Sequence, residues 1–288
     1  MSSQILINGI VIGALYVMLA LGFSMIYTST GFFNLSHGAI LLTGAYVSYA
    51  AGALWGLGFA ASVVIGALAA TAIHVVAAAG IYLPMRSRGA SMWIMAIGSL
   101  GFAIVSQAAI GIVFGTRTLN IREGYVAPVL QVGEVRVSYI DVAIIAISVV
   151  LVTATHQFLQ RTKTGIGIRA AMADRDMAQA VGIRVRSLEL LVFAIGAFLA
   201  GTAGGLYALK GAIIYSMGGP ALLKSIVVSI LGIPFGLVGV FGGGIFLGVV
   251  ENVVVANWSA GWVDGVSLLV LIVFVWLTAV RARVRKYR

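Results

Sequence analysis

The stretch that decides the fold is Ile5–Tyr27, ILINGIVIGALYVMLALGFSMIY, which contains no Asp, Glu, Lys or Arg. Crossing roughly 30 Å of hydrocarbon takes about 20 apolar residues, and backbone cut off from water is forced into a helix. This stretch is therefore long enough to span a membrane. No basic segment precedes it, so it reads as a retained first span rather than a cleaved secretory signal.

The same character continues outward. No charged residue occurs from Met1 to Met85, and further uncharged runs lie at 89–116, 142–160, 190–209, 225–250 and 265–280. With 61% hydrophobic and 9% charged residues and a mean hydropathy of +1.11, the chain belongs among integral membrane proteins. The expected spans are 5–27, 38–55, 60–84, 91–115, 139–160, 188–209, 222–240, 241–258 and 262–280. Gly232, Pro234, Gly236, Gly239 and Gly242 to Gly244 interrupt the seventh and eighth. The fold expected is all-α: one polytopic transmembrane helix bundle over 1–288, of about 7–9 spans, with interrupted or re-entrant segments.

The net charge of +10 is distributed as in a membrane protein, not as in a nucleic-acid binder. Arg86 and Arg88 share one loop, and Arg161, Lys163, Arg169, Arg175, Arg184 and Arg186 share another. Arg281, Arg283, Arg285, Lys286 and Arg288 form the C-terminal tail. Arg117, Arg122, Arg136, Lys210 and Lys224 are left for the opposite side. The positive-inside bias puts the first three groups in the cytosol, which places the N-terminus outside and the C-terminus inside. The same charges suit anionic lipid headgroups. Cysteine is absent, which excludes disulfides and thiolate metal sites.

After the first span the pattern breaks at Thr28 to Gly31 and resumes through Phe32-Phe33-Asn34-Leu35-Ser36-His37-Gly38. Interrupted segments at membrane depth commonly line a substrate path. An ordinary surface turn, with Asn34 or Ser36 capping the next helix, fits the pattern equally. Thr30, Gly31, Asn34, Ser36, His37 and Gly38 are the candidate pathway residues. A lone His37 is a hydrogen-bonding structural residue or a proton relay. His74 and His156 have no acidic neighbours in sequence, and no two histidines stand at ligand spacing, so no metal site is expected.

The loop 161–187 carries its own helix pattern. Asp174 suits an N-cap, Arg175 to Val181 a helix of about two turns, and Gly182 a left-handed terminator. Met177, Ala178 and Val181 fall on one face, a small apolar knob that could enter a partner's groove. Ser187 reads as the cap of the next span, with Glu189 in its first turn. The competing reading is a solvated loop whose charges only fix orientation. Elsewhere, Gly9-x-x-x-Gly13 and Gly201-x-x-x-Gly205 suit close helix contacts. Trp55, Trp93, Trp258 and Trp262 read as interfacial anchors.

Several motifs in order carry a family resemblance over nearly the whole chain. They are Tyr16-x-x-x-Ala20-Leu21-Gly22, Thr30-Gly31-x-x-Asn34-x-x-His37-Gly38, Gly44-Ala45-Tyr46 and Tyr82-x-Pro84-x-Arg86. Thr164-Gly165-x-x-x-Arg169-Ala170, Ala178-x-x-x-Gly182-Ile183 and Ala200-Gly201-x-Ala203-Gly204 follow. Together they resemble the permease subunit of an ABC importer of the branched-chain amino acid type. Gly239, Gly243, Gly248 and Glu251 fit that family's pattern. Gly232-Ile233-Pro234-Phe235-Gly236 departs from it, with Ile233 and Phe235 where glycines are expected.

The resemblance implies that Arg169, Asp174, Arg175, Asp176, Met177, Ala178, Val181 and Gly182 belong to the element that docks on an ATPase. It also implies a second related permease, two ATP-binding subunits and a periplasmic or extracellular binding protein, in a bacterial cytoplasmic membrane. Branched-chain or related aliphatic amino acids are the implied substrates. This chain has no G-x-x-x-x-G-K-[ST] loop, so ATP and Mg²⁺ are expected on partner subunits and no cofactor here. Glu251 interrupts an apolar helix, where an acid costs about 2.5–3.5 kcal/mol on insertion scales, and must face protein or water. It reads as an anchor or gate, or as a pathway residue. An ion- or proton-coupled secondary transporter is the alternative function. No nucleophile elbow, histidine-rich metal cluster or carboxylate pair points to an enzyme.

Overall fold

The computed structural model describes residues 2–121, 129–132, 135–232 and 236–286, with side chains from 3 to 278 within those ranges. Arg122, residues 233–235 and the side chains of the basic tail lie outside the described residues. The chain folds as a polytopic helical bundle. Helix α1 (Ser2–Thr30) is followed by α2 (His37–Tyr49), which continues as a π-turn over Ala50–Leu54. Helix α3 (Phe59–Ala77) runs through a second π-turn, Ala78–Tyr82, into α4 (Leu83–Ser87). After α5 (Met92–Phe114) comes an antiparallel pair, β1 (Val129–Val132) and β2 (Val135–Ser138), in register Val129 opposite Ser138. Then follow α6 (Tyr139–Arg161), α7 (Lys163–Ala173), α8 (Arg175–Ala180), α9 (Val185–Lys210), α10 (Gly218–Gly232), α11 (Gly236–Asn257) and α12 (Val263–Lys286).

Among the described residues seven helices are long and apolar enough to cross a membrane, all but α10 of the expected set beyond the short α2. Of these seven, α1 and α9 are the most buried, while α5 and α12 leave most of their apolar surface uncovered, as suits lipid contact. The expected glycine contacts are present. A Cβ on Gly9 would sit 2.6 Å from Val249 Cα and one on Gly13 2.7 Å from Ile245 Cα, so α1 and α11 pack backbone to backbone. A Cβ on Gly201 would meet Ala70 Cβ at 2.8 Å, and so α9 lies on α3 in the same manner.

The expected spans 38–55 and 222–240 correspond to two shorter helices that start inside the bundle. His37, at the start of α2, donates from Nε2 to Leu19 O at 2.9 Å. Leu19 lies 11 residues before the end of α1, about 16 Å at 1.5 Å per residue, so the chain has doubled back before α2 begins. Gly218, at the start of α10, lies against Gly38, and a Cβ on Gly38 would run into the Gly218 carbonyl. The two short helices then leave in opposite directions, α2 toward the start of α3 and α10 toward the end that holds Arg169 and Gln160.

An internal repeat of inverted orientation accounts for this. Gly31-x-x-x-x-Ser36-x-Gly38 recurs as Gly211-x-x-x-x-Ser216-x-Gly218, each preceding a short helix. The packing of α1 on α11 is mirrored by that of α9 on α3. Such repeats place non-helical backbone at membrane depth where it is enclosed by protein.

Two boundaries differ from expectation. Among the described residues, the expected span 222–240 is divided between α10, which ends at Gly232, and α11, which starts at Gly236. Helix α9 begins at Val185, which puts Ser187 and Glu189 inside the helix rather than at a cap; Arg184 holds the cap position with no side-chain bond.

Candidate functional site

The first interruption is held by a buried polar cluster. Gly31 has φ +76°, which ends α1 in the left-handed region open to glycine. Thr30 donates its hydroxyl to Ile26 O at 2.6 Å. Ser36 occupies the cap position of α2 without capping it. Its Oγ instead donates to Asn34 Oδ1 at 2.6 Å, and lies 3.0 Å from His74 Nε2 and 2.8 Å from Tyr82 OH. A hydroxyl has one hydrogen, so His74 and Tyr82 are the donors in the other two contacts. Asn34 Nδ2, His37 Nδ1 and His74 Nδ1 are buried with no hydrogen-bond partner among the described residues. His37 and Ser36 are fully buried and Asn34 nearly so.

In front of that cluster a crevice of about 120 Å³ opens between α2, α5 and α10, lined by Leu35, Gly38, Leu100, Gln107, Gly218 and Leu222 among others. A second crevice of about 430 Å³ shares Ile104 and Gln107 and continues along α5 to Thr116 and Tyr215. Of the candidate pathway residues, Gly38 lines the first crevice. Gln107, Gly218 and Tyr215 were missed by the sequence reading; the second Gly-x-x-x-x-Ser-x-Gly was the signal that could have found Gly218.

Glu251 is 3% exposed and lies away from this crevice. Its Oε2 accepts from Tyr16 OH at 2.5 Å and its Oε1 from Ser267 Oγ at 2.5 Å. Lys224 Nζ stands 3.5 Å from Glu251 Oε1 and 2.6 Å from Asp264 Oδ1. The charge bias leaves Lys224 for the outer side; it is a buried residue of α10, and it ties that helix to α11 and α12. Removing one partner of such a pair strands the other, at a cost of about 3–5 kcal/mol.

At the end of the bundle that holds Arg86, helix α8 stands outside the spans. Asp174 Oδ1 accepts from Met177 N–H at 2.9 Å, capping the helix, and Gly182 with φ +87° ends it. Ile183 N–H closes back on Ala178 O at 3.0 Å. Met177 and Val181 are 62% and 69% exposed, but Ala178 is turned inward against Ala171 and Val185. The expected knob is therefore Met177 and Val181 without Ala178. Asp176 is exposed. Arg169 faces elsewhere, into a crevice of about 280 Å³ with Thr28, His156 and Gln160. Arg175 reaches Glu189 Oε1 at 3.2 Å, where Arg86 also binds at 2.7 Å.

A family model described as the branched-chain amino acid transport system / permease component matches residues 5–275. The chain belongs to this permease family. It is 28% identical over 265 residues to the high-affinity branched-chain amino acid transport system permease protein BraD of Pseudomonas aeruginosa, covering 86% of this chain and 84% of that protein. It is 27% identical over 299 residues to the corresponding permease protein LivH of Escherichia coli, covering 97% and 95%. A solved structure of PsaBC from Streptococcus pneumoniae in complex with Fab shares the fold, with a TM-score of 0.52 at 15% identity, covering 94% of this chain and 89% of that one.

As a member of the permease family the chain is a multi-pass transport subunit, and the family is not one of enzymes. In this permease the candidate residues fall into four separate places, one of them the crevice that Arg169 of α7 lines. Gly31 to Gly38 lie where α2 begins, Glu251 lies in the charge network of α10 to α12, and Asp174 to Gly182 lie on α8.

Proposed function

We propose that this chain is the transmembrane permease subunit of an ABC importer for branched-chain or related aliphatic amino acids. Separate ATP-binding subunits dock on α8 and drive alternating access. The observation that carries this reading is α8 itself, a capped helix outside the spans that presents Met177 and Val181 to solvent. An amphipathic helix with an exposed apolar pair suits a groove on a soluble partner.

The substrate class follows from the names of the relatives. The assembly has a second related permease, two ATP-binding subunits that carry ATP and Mg²⁺, and an external substrate-binding protein. The chain forms one transmembrane domain over 1–288, with 161–187 as its coupling loop, in a bacterial cytoplasmic membrane. The N-terminus lies outside and the C-terminus in the cytosol, in keeping with the basic residues at the α8 end. The substrate path runs along the crevice at Gly38 and Gly218, while Thr30, Gly31, Asn34, Ser36 and His37 shape the break behind it. Glu251 holds α10 in place. An ion-coupled mechanism would turn on that acid, which Tyr16, Ser267 and Lys224 already engage.

Uptake by vesicles loaded with ATP and containing the whole assembly tests the reading. Uptake of leucine or valine should require ATP and the binding protein and survive collapse of ion gradients. Uptake that continues without ATP and follows a sodium or proton gradient would overturn it.

A further inference from the structure

The clasp at Glu189 is the feature that the docking reading leaves unexplained. Glu189 is 1% exposed, and both its cationic partners meet the same oxygen: Arg86 Nη1 at 2.7 Å and Arg175 Nη1 at 3.2 Å. Its other oxygen, Oε2, is buried without a hydrogen-bond partner among the described residues. Each of the three residues comes from a different element: Arg86 from α4 at the end of the third span, Arg175 from the first turn of α8, and Glu189 from the second turn of α9. A buried carboxylate shared in this way links all three elements, because withdrawing Glu189 with α9 breaks both ion pairs and withdrawing either arginine weakens the compensation of a charge held out of water.

Helix α9 in turn lies directly on α2. A Cβ on Gly204 would run into Leu41 O of α2, and one on Gly44 into Gly201 O of α9, so the two backbones touch. Gly22 and Gly196 make the same kind of contact between α1 and α9, where a Cβ on Gly22 would lie 2.6 Å from Gly196 O. Close-packed backbones shift as units rather than deform. Displacement of α8 thus has a continuous physical route through Arg175 and Glu189 into α9, and from α9 into α2 and the crevice at Gly38.

We propose that Glu189 is a positioning residue for transport: it couples α8 to α9 and α4, so that force on α8 becomes movement of the half-helix α2. The proposal rests on the reading of α8 as the ATPase-docking element. It concerns what happens after docking, and Glu189 itself makes no contact with substrate or nucleotide in this scheme.

The test uses the assembled importer in proteoliposomes, reading ATPase retention on co-purification, ATP hydrolysis, and substrate taken up per ATP hydrolysed. Glu189→Gln and Arg175→Gln should retain the ATPase and hydrolyse ATP, while uptake per ATP falls at least fivefold. Arg175→Lys, which keeps the charge, should restore most of that ratio. Arg88→Gln, which removes an exposed charge outside the coupling loop, should leave it at the wild-type value. If Glu189→Gln fails to fold, Arg175→Gln still decides the matter, because it leaves the Arg86 pair in place. An unchanged ratio with the ATPase bound would overturn the proposal and leave the docking reading intact. Loss of ATPase binding in Arg175→Gln would also overturn it, since the clasp would then act in docking. If the wild-type chain itself retains no ATPase, the docking reading fails, and this proposal with it.

Discussion

Gly38 and Gly218 stand backbone against backbone at the point where α2 and α10 begin, leaving no room for a methyl group on Gly38. Two interrupted segments of an inverted repeat therefore share one narrow junction. Gly38→Ala should lower the thermal midpoint in detergent, at an overpacking cost of about 1–3 kcal/mol, and reduce uptake. Gly219→Ala should leave the thermal midpoint unchanged, because a Cβ there has nothing within 4 Å. Equal effects of the two substitutions would mean that the junction is not the constraint.

Lys224 and Glu251 form a charge network rather than independent residues. Lys224→Met strands the buried carboxylate and should cost about 3–5 kcal/mol in stability. Lys224→Met combined with Glu251→Gln should cost clearly less than the two separate losses added together, which a double-mutant cycle on detergent-solubilised protein would measure. Simple additivity would show that the 3.5 Å approach carries no coupling.

On α8 the exposed and buried apolar residues should separate docking from folding. Met177→Asp with Val181→Asp should abolish retention of the ATP-binding subunits while leaving the thermal midpoint of the permease in place, since both side chains face solvent. Ala178→Asp should instead lower the midpoint, because it buries a charge against Ala171 and Val185. Full ATPase retention by the double variant would contradict the assignment of the knob.

Asp174→Ala removes the cap on Met177 N–H, a loss of about 1 kcal/mol confined to α8. Hydrogen exchange at that amide should accelerate about fivefold, with the spans unaffected. An unchanged rate would show that the cap does not hold the helix.

Much of the architecture was legible because hydropathy and spacing are local. The long spans follow from uncharged runs, and Asp174 and Gly182 were readable as the two ends of α8 from residue type alone. Depth in the membrane is not local. The residues Ala212 to Met217 are as apolar as a span, so hydropathy could not show that the chain re-enters before α10; only the repeated Gly-x-x-x-x-Ser-x-Gly carries that information. The partners of Glu251 were equally out of reach, since Tyr16 lies 235 residues away in sequence and Lys224 resembled a surface charge. Ala178 was misplaced because neighbouring apolar residues on a two-turn helix cannot show which of them face α7 and α9.

The central claim is that a bundle without a motor is pushed at α8. It is tested most directly by cross-linking from single cysteines, which the absence of native cysteine makes unambiguous. Cysteine placed at Met177 or Val181 in the assembled importer should cross-link to the ATP-binding subunit, whereas cysteine at Gln4, at the opposite end, should not. A cysteine at Met177 that is instead modified by a membrane-impermeant maleimide added to the external face of intact cells, and that gives no cross-link, would contradict the account.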